Sequence, residues 1–441
     1  MAHQLTQTAP SKPQVDLLSA LPRELRLEIC EYFCYHCTEV DVDLRFWAFF
    51  HADFGPWQTK YEQLLRLCLT SHSLRDVAQP VLHHVFLDNN INPWKHMSPF
   101  GMTLVERPDL AANVRSIIYN QDRSLSRGEG HHTLWPRPTT GLAVRQMRTV
   151  EDLSWYLFKV IMFHAENIAD IRINVMDCWS LPRIHAPNLR FLHLCRRMGM
   201  SMASRRPSGL KGAPRLGQLW LQNWNAADVS TENIVACAPN IHQLRIRNSN
   251  PEDVVADIKF LANGLLKLTS FHFYDYRYHG FELQEEVLST IWARKDDIQD
   301  LFIQSDYFFA DLGLLSDFTN LRDLWLACRL RNLPGPLDEG DSDTRPLPLL
   351  LPTSLKALRI RCKPQQELIP LAWMIVRLGE TLHLYENLKL VDSDLPRRIP
   401  SSDLDEIERM LGDEHVWEAF ANAGVKLKVG NLSPAPIESL V

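Results

Sequence analysis

One hydrophobic pattern recurs along the chain: apolar, two others, apolar, one other, apolar, often with Asn or Pro-Asn in front. It reads NVRSIIY at 113, NIADIRI at 167, NLRFLHL at 188, RLGQLWL at 215 and NIHQLRI at 240. It continues as KLTSFHF at 267, DIQDLFI at 297, NLRDLWL at 320 and SLKALRI at 354. The closing apolar-x-apolar unit alternates with the period of a strand that buries one side. The first apolar residue of each motif anchors the turn that leads in. Helical periodicity fills the intervals, as in VEDLSWYLFKVIMFHAE, VSTENIVACA, PEDVVADIKFLA, ELQEEVLSTIWAR and QQELIPLAWMIVRLGE. Strand, turn, helix and turn repeated in this way predict an α/β stack in which each unit buries its apolar side against the next.

Because strand side chains alternate, the residue between the last two apolar positions points away from the core. That position holds Ile118, Arg172, His193, Trp220, Arg245, His272, Phe302, Trp325 and Arg359. The next outward position adds Arg247, Tyr274, Gln304 and Arg361. Trp, Tyr and Arg dominate the energetics of protein interfaces. Trp220, Arg245, Arg247, His272, Phe302, Trp325 and Arg359 are therefore the candidate substrate-binding residues. Two alternatives stand beside this: cover by the long loops or the N-terminal connector, and a register shifted by one. The arginines, with Arg196, Arg197, Arg205 and Arg206 of a basic loop, suit an acidic or phosphorylated segment, since guanidinium forks grip such groups. Three stretches at 121–141, 196–215 and 331–348 are rich in Gly, Pro or Ser and read as loops leaving the stack. The acidic one, with Asp338, Glu339, Asp341 and Asp343, lacks the ligand spacing of a calcium loop.

The N-terminal part follows a different pattern. Residues 1–16 are polar and read as a disordered tail. From Leu21, LPRELRLEICEYFCYHC opens a helix with Pro22 at its start and Leu25, Ile29, Tyr32 and Phe33 in one stripe. A connector follows, and then LLRLCLTSHSLRDVAQPVLHHVF, Leu64 to Phe86. Ser71 or Ser73 caps its second helix, whose buried positions are Leu74, Val77, Ala78, Val81, Leu82 and Val85. Pro80 should kink or end that helix.

LPRELRLEICEYF followed by LLRLCLTSHSLRDVAQPVLHHVF resembles an F-box, in the form common in fungal proteins. The resemblance covers about Leu18 to Phe86. It implies a three-helix module that binds the Skp-family linker subunit of Skp–cullin–F-box ubiquitin ligases. Leu21, Pro22, Leu25 and Ile29 would contact the linker, with Leu67 and Leu69 supporting the same surface. The connector at 35–60 departs from the family's short turn. The alternative is that the stripe packs onto the rest of the chain. The variable repeats resemble the irregular leucine-rich repeats fused to many F-boxes. The expected architecture is thus an F-box-like domain at 17–90 and a leucine-rich repeat horseshoe at 91–441, closed by a C-terminal helix and strand. The expected function is substrate recognition in an E3 ubiquitin ligase, with linker, cullin and protein substrate as partners. A repeat scaffold acting in protein assembly is the alternative.

Composition changes this picture little. The net charge of -6 argues against a nucleic-acid surface. No apolar run is long enough to cross a bilayer, so no membrane partner is expected. Nine scattered cysteines and no leader-like start point to the cytoplasm or nucleus. There is no H-E-x-x-H, G-x-S-x-G or Walker loop among the 17 histidines and their neighbours, so neither catalysis nor a cofactor is expected. Cys178, Cys195, Cys237, Cys328 and Cys362 read as small core residues. Cys30, Cys34 and Cys37 could share one face of the first helix. With no further Cys/His cluster nearby, they read as packing for the second helical block or the connector, not as a metal clasp.

Overall fold

In a computed structural model, the described residues are 17–38, 55–88, 93–120, 150–175, 186–196, 213–222, 239–248, 258, 261–275, 287, 289–304, 312–328, 351–362, 368–395, 399–413, 415–430 and 432. The chain divides into two compact units, Met1–Ala169 and Asp170–Val441. The sequence placed its boundary near residue 90. The first unit also takes in two strands and the helices up to His164. Among the described residues, no helix is long and apolar enough to cross a membrane.

The first unit begins with α1 (Arg23–Tyr32) and a short α2 (Tyr35–Thr38), followed by α3 (Gly55–Thr70) and α4 (His72–Leu82). Pro22 sits at the N-cap of α1, one residue earlier than a first-turn position. Ser71 caps α4, its side chain accepting from the Leu74 N–H at 3.2 Å. Leu74, Val77, Ala78 and Val81 are buried, as the stripe predicts. The core is closed by Cys30, Cys34, Leu64 and Cys68, with Phe33, Leu67, Leu82 and Val85 packed on it. Cys30 and Cys34 are thus packing for the second helical block, and Arg26 donates to the Ser73 carbonyl at 3.0 Å, tying α1 to α4.

Pro80 neither ends nor interrupts α4, which runs two residues past it. The helical reading of the block to Phe86 is corrected. The helix stops at His83, and Val85–Asp88 forms β1, which pairs in parallel with β2 (Ser116–Asn120). Helices α5 (Pro93–Glu106), α6 (Pro108–Ala111) and α7 (Val150–His164) complete the unit.

Among the described residues, the second unit holds ten parallel strands in chain order: β3 (Asp170–Val175), β4 (Phe191–Arg196), β5 (Gln218–Gln222), β6 (Gln243–Asn248) and β7 (Ser270–Asp275). They continue as β8 (Asp300–Gln304), β9 (Asp323–Cys328), β10 (Ala357–Cys362), β11 (Leu390–Asp394) and β12 (Lys426–Val429). The protein is therefore of the α/β class, with sequential parallel strands. Helices α8 (Leu368–Glu380), α9 (Ser401–Asp413) and α10 (Val416–Asn422) lie between the last strands. The tail expected to be one helix and a strand is two helices and β12.

The repeated motif has a simple physical reading. Its first apolar residue (Leu189, Leu216, Ile241, Leu268, Ile298, Leu321 and Leu355) is fully buried in each unit. The Asn in front hands its amide to the preceding turn. Asn240 Nδ2 donates to the Pro214 carbonyl at 2.7 Å, and Asn320 Nδ2 to that of Asp296 at 2.6 Å. Where Asn240 accepts instead, Lys267 Nζ donates to it at 2.6 Å. A backbone ladder precedes the strands, from the Gly217 N–H on Arg190, through His242 on Gly217 and Thr269 on His242, to Lys426 on Lys389. Each rung's polar backbone is satisfied by its neighbour, so a single unit is incomplete without the next.

Candidate functional site

Two faces collect the residues singled out in the sequence. The first is on the N-terminal helices. Pro22, Leu25 and Leu69 are exposed, while Leu21, Ile29 and Leu67 are half-buried. Leu67 turns toward the core of Cys30, Leu64 and Cys68, so it supports the fold and is not an open contact. Leu25 and Leu69 lie at one end of the module. Ser19 Oγ is 3.2 Å from Ser71 Oγ, and Arg26 reaches Ser73, so the start of α1 meets the α3–α4 junction just after Leu69. Of the thirteen exposed large apolar side chains among the described residues, eight fall between Leu17 and Leu69. They include Leu18, Leu27, Tyr32 and Leu65 beside those named. The core beneath is already closed, so this apolar surface is surplus to folding.

The second face is the outward rank of the second unit. Strand register aligns Arg172, His193, Trp220, Arg245, His272, Phe302, Trp325 and Arg359 side by side, one per strand. Asp392 and Lys428 extend the rank. Arg247 stands in the adjacent rank beside Gln222 and Tyr274.

Full exposure of this rank is corrected. Trp220, Arg245 and Phe302 are buried, and His272, Trp325, Arg247 and Arg359 are half-buried. The cause is lateral stacking between strands that are only ~4.8 Å apart. The Trp220 ring centre is 4.7 Å from His193, and that of Phe302 is 4.5 Å from Tyr274 and 4.6 Å from Trp325. The Arg245 guanidinium sits 5.5 Å from the Trp220 ring centre.

Electrostatics follow from this crowding. Burial, with Arg172 and Arg247 nearby, holds the His193 imidazole well below the usual histidine range. Burial and then Arg245 do the same to His272. Arg172 donates to Asp170 across 2.9 Å. The proposed arginine cluster does not form one site. Arg245 and Arg247 are on β6, whereas Arg359 and Arg361 are on β10, four strand spacings or roughly 19 Å away. Arg359 lies 3.9 Å from Asp323. Arg197, Arg205 and Arg206 lie outside the described residues, and of Arg196 only the backbone is described.

A third group was set aside in the sequence, where its cysteines were read as packing. Cys34, His36, Cys37 and His84 bring their thiol and imidazole atoms within 4.8 Å of one another. The expectation that no further Cys/His residue stands near the three cysteines is corrected by His84. Hydrogen bonds from Cys37, His36 and His84 pull the Cys34 thiol well below the usual thiol range, against the opposing effect of burial. The Cys37 thiol is pushed up, chiefly by its bond to Cys34. Only the fold brings His84 to the others across the connector, and the adjacent pair His83–His84 offered no spacing to read.

No family model matches the chain, and no curated protein matches it significantly.

Proposed function

We propose that the chain is a non-catalytic substrate-recognition adaptor of a Skp–cullin–F-box ubiquitin ligase. In this reading the helices around α1 and α3 form an F-box-like module that holds a Skp-family linker. The parallel strands form irregular leucine-rich repeats that hold a protein substrate in the cytoplasm or nucleus. Ubiquitin transfer then follows from proximity of a substrate lysine to a charged conjugating enzyme, and this chain supplies position only.

The observation that carries the reading is the exposed apolar surface of Leu25, Leu27, Leu65 and Leu69 above a closed helical core. Such a face is suited to another protein's helices. The substrate side is narrower than the sequence implied. His272, Trp325, Arg247 and Arg359 keep surface for a partner, while Phe302 packs between His272 and Trp325 from the side. A scaffold outside ubiquitination is the second reading, and the burial of most of the outward rank favours it.

Copurification of the full chain with a Skp-family linker and cullin tests the reading. The wild type should form a stoichiometric complex. Leu25→Asp combined with Leu69→Asp should weaken capture by at least about tenfold with an unchanged melting temperature. A well-folded wild type that captures neither partner would leave the scaffold reading.

A further inference from the structure

The geometry points to a structural zinc site held by Cys34, His36, Cys37 and His84, independent of the ubiquitin-ligase reading. The sulfur–nitrogen separations are the first reason. Cys34 Sγ lies 3.7 Å from His84 Nδ1, Cys37 Sγ lies 3.4 Å from the same atom, and Cys37 Sγ lies 3.6 Å from His36 Nδ1. Zinc binds sulfur at ~2.3 Å and imidazole nitrogen at about 2.0–2.1 Å. A tetrahedron with those arms has sulfur–nitrogen edges of about 3.5 Å. Three of the six edges thus already match, and all four donor atoms lie within 4.8 Å of one another.

Donor chemistry is the second reason. Two thiolates and two imidazoles form a closed four-coordinate set, and thiolate ligands select against magnesium and calcium. No fifth position is left for water, so the site would hold structure and not hydrolyse anything. The rings of His36 and His84 cross at 81° with centres 5.6 Å apart, which lets both approach one point.

The third reason is the cost of the arrangement without a metal. His36 and Cys37 are exposed, yet their donor atoms lie within 4.8 Å of those of Cys34 and His84. Thiol–imidazole hydrogen bonds are weak returns for fixing two surface side chains. The backbone around them is already held. The His84 carbonyl accepts from the N–H groups of Arg115 at 2.8 Å and Ser116 at 2.9 Å. Thr38 Oγ1 donates to the Cys34 carbonyl at 2.8 Å.

The ion would join α2 and the turn before it to the junction of α4 and β1. That clasp spans the connector, whose residues 39–54 lie outside the described ones, and closes a loop of some fifty residues. It gives the long connector a fixed base.

The test uses the full chain without a histidine tag, reduced and supplied with zinc, then freed of loose metal by gel filtration. About one zinc per chain is expected. Replacement by cobalt should give the visible bands of a tetrahedral ion and thiolate charge transfer. Cys37→Ser, a near-isosteric change at an exposed position, should lower retained zinc more than tenfold with an unchanged circular dichroism spectrum. His36→Asn should do the same if Cys37→Ser fails to fold. A folded, reduced wild type that retains less than about a tenth of an equivalent and shows no tetrahedral cobalt bands overturns the proposal. So does Cys37→Ser with wild-type zinc, or a Cys34–Cys37 disulfide whose reduction yields no metal uptake.

Discussion

Trp325 meets the ring of Phe302 edge to face, 4.6 Å away on the neighbouring strand. This contact belongs to a chain of stacked side chains that includes His272, Tyr274, Trp220 and His193. The rank is therefore as much a second core as a surface.

That gives a contrast within one rank. Trp220→Ala removes a buried ring and should destabilise the chain by about 3–5 kcal/mol. Arg359→Ala, at a half-buried position whose side chain is 42% exposed near Asp323, should stay within about 0.5 kcal/mol of wild type. Urea unfolding measures both. Equal effects would mean that the stack contributes nothing to stability.

Stability should fall as the medium is acidified from pH 7.5 to 5.5. His193 and His272 are held neutral in the fold, His193 by burial with Arg172 and Arg247, and His272 by burial with Arg245. Both regain an ordinary pKa of about 6.5 when unfolded. Below that value the unfolded chain binds more protons, so acid favours unfolding. His193→Gln should flatten the slope between these two pH values. An unchanged slope would remove His193 from the account.

Ser393 is fully buried, and its hydroxyl has no hydrogen-bond partner among the described residues. Its register partner on β10 is Ile360, so it occupies a core position that other strands give to an aliphatic or aromatic residue. Ser393→Ala should raise stability by about 1 kcal/mol, because an unsatisfied buried hydroxyl is lost. A clear loss of stability in thermal or urea unfolding would reveal a partner for it.

Two left-handed glycines should rank in a fixed order. Gly430 has φ 53° and a Cβ there would stand 3.0 Å from three atoms of Leu395, whereas Gly424, at φ 71°, faces open space. Ala costs about 1–2 kcal/mol at either position from the backbone alone. Gly430→Ala should be the more damaging, as compared by thermal unfolding.

Ser393 also explains what the sequence concealed. Nine strands announced themselves through an apolar residue at each end of the final triplet, as Leu324 and Leu326 do. In β11 the second place is Ser393, and the pattern disappears. β1 was hidden differently. Val85, Phe86 and Leu87 continue a helical hydrophobic run, and only the turn at His83 separates them from α4. Outward positions could be read because alternation is local. Their burial could not, because it depends on ring contacts between residues some twenty to thirty places apart. His84 was beyond reach for the same reason: its partners lie on the far side of the connector.

The last strand has a further consequence. β12 ends the run, and among the described residues no strand pairs beyond it. A sheet built by adding parallel strands has no inherent stopping point, and any chain presenting a compatible strand could lengthen it. Lys426 and Lys428 are exposed on this strand, between the inward Val425 and Val429. A second copy approaching edge to edge would force four ammonium groups together while offering little apolar area in return. Lys426 and Lys428, the latter 3.9 Å from Asp392, thus give this edge the charge that disfavours pairing with a second copy.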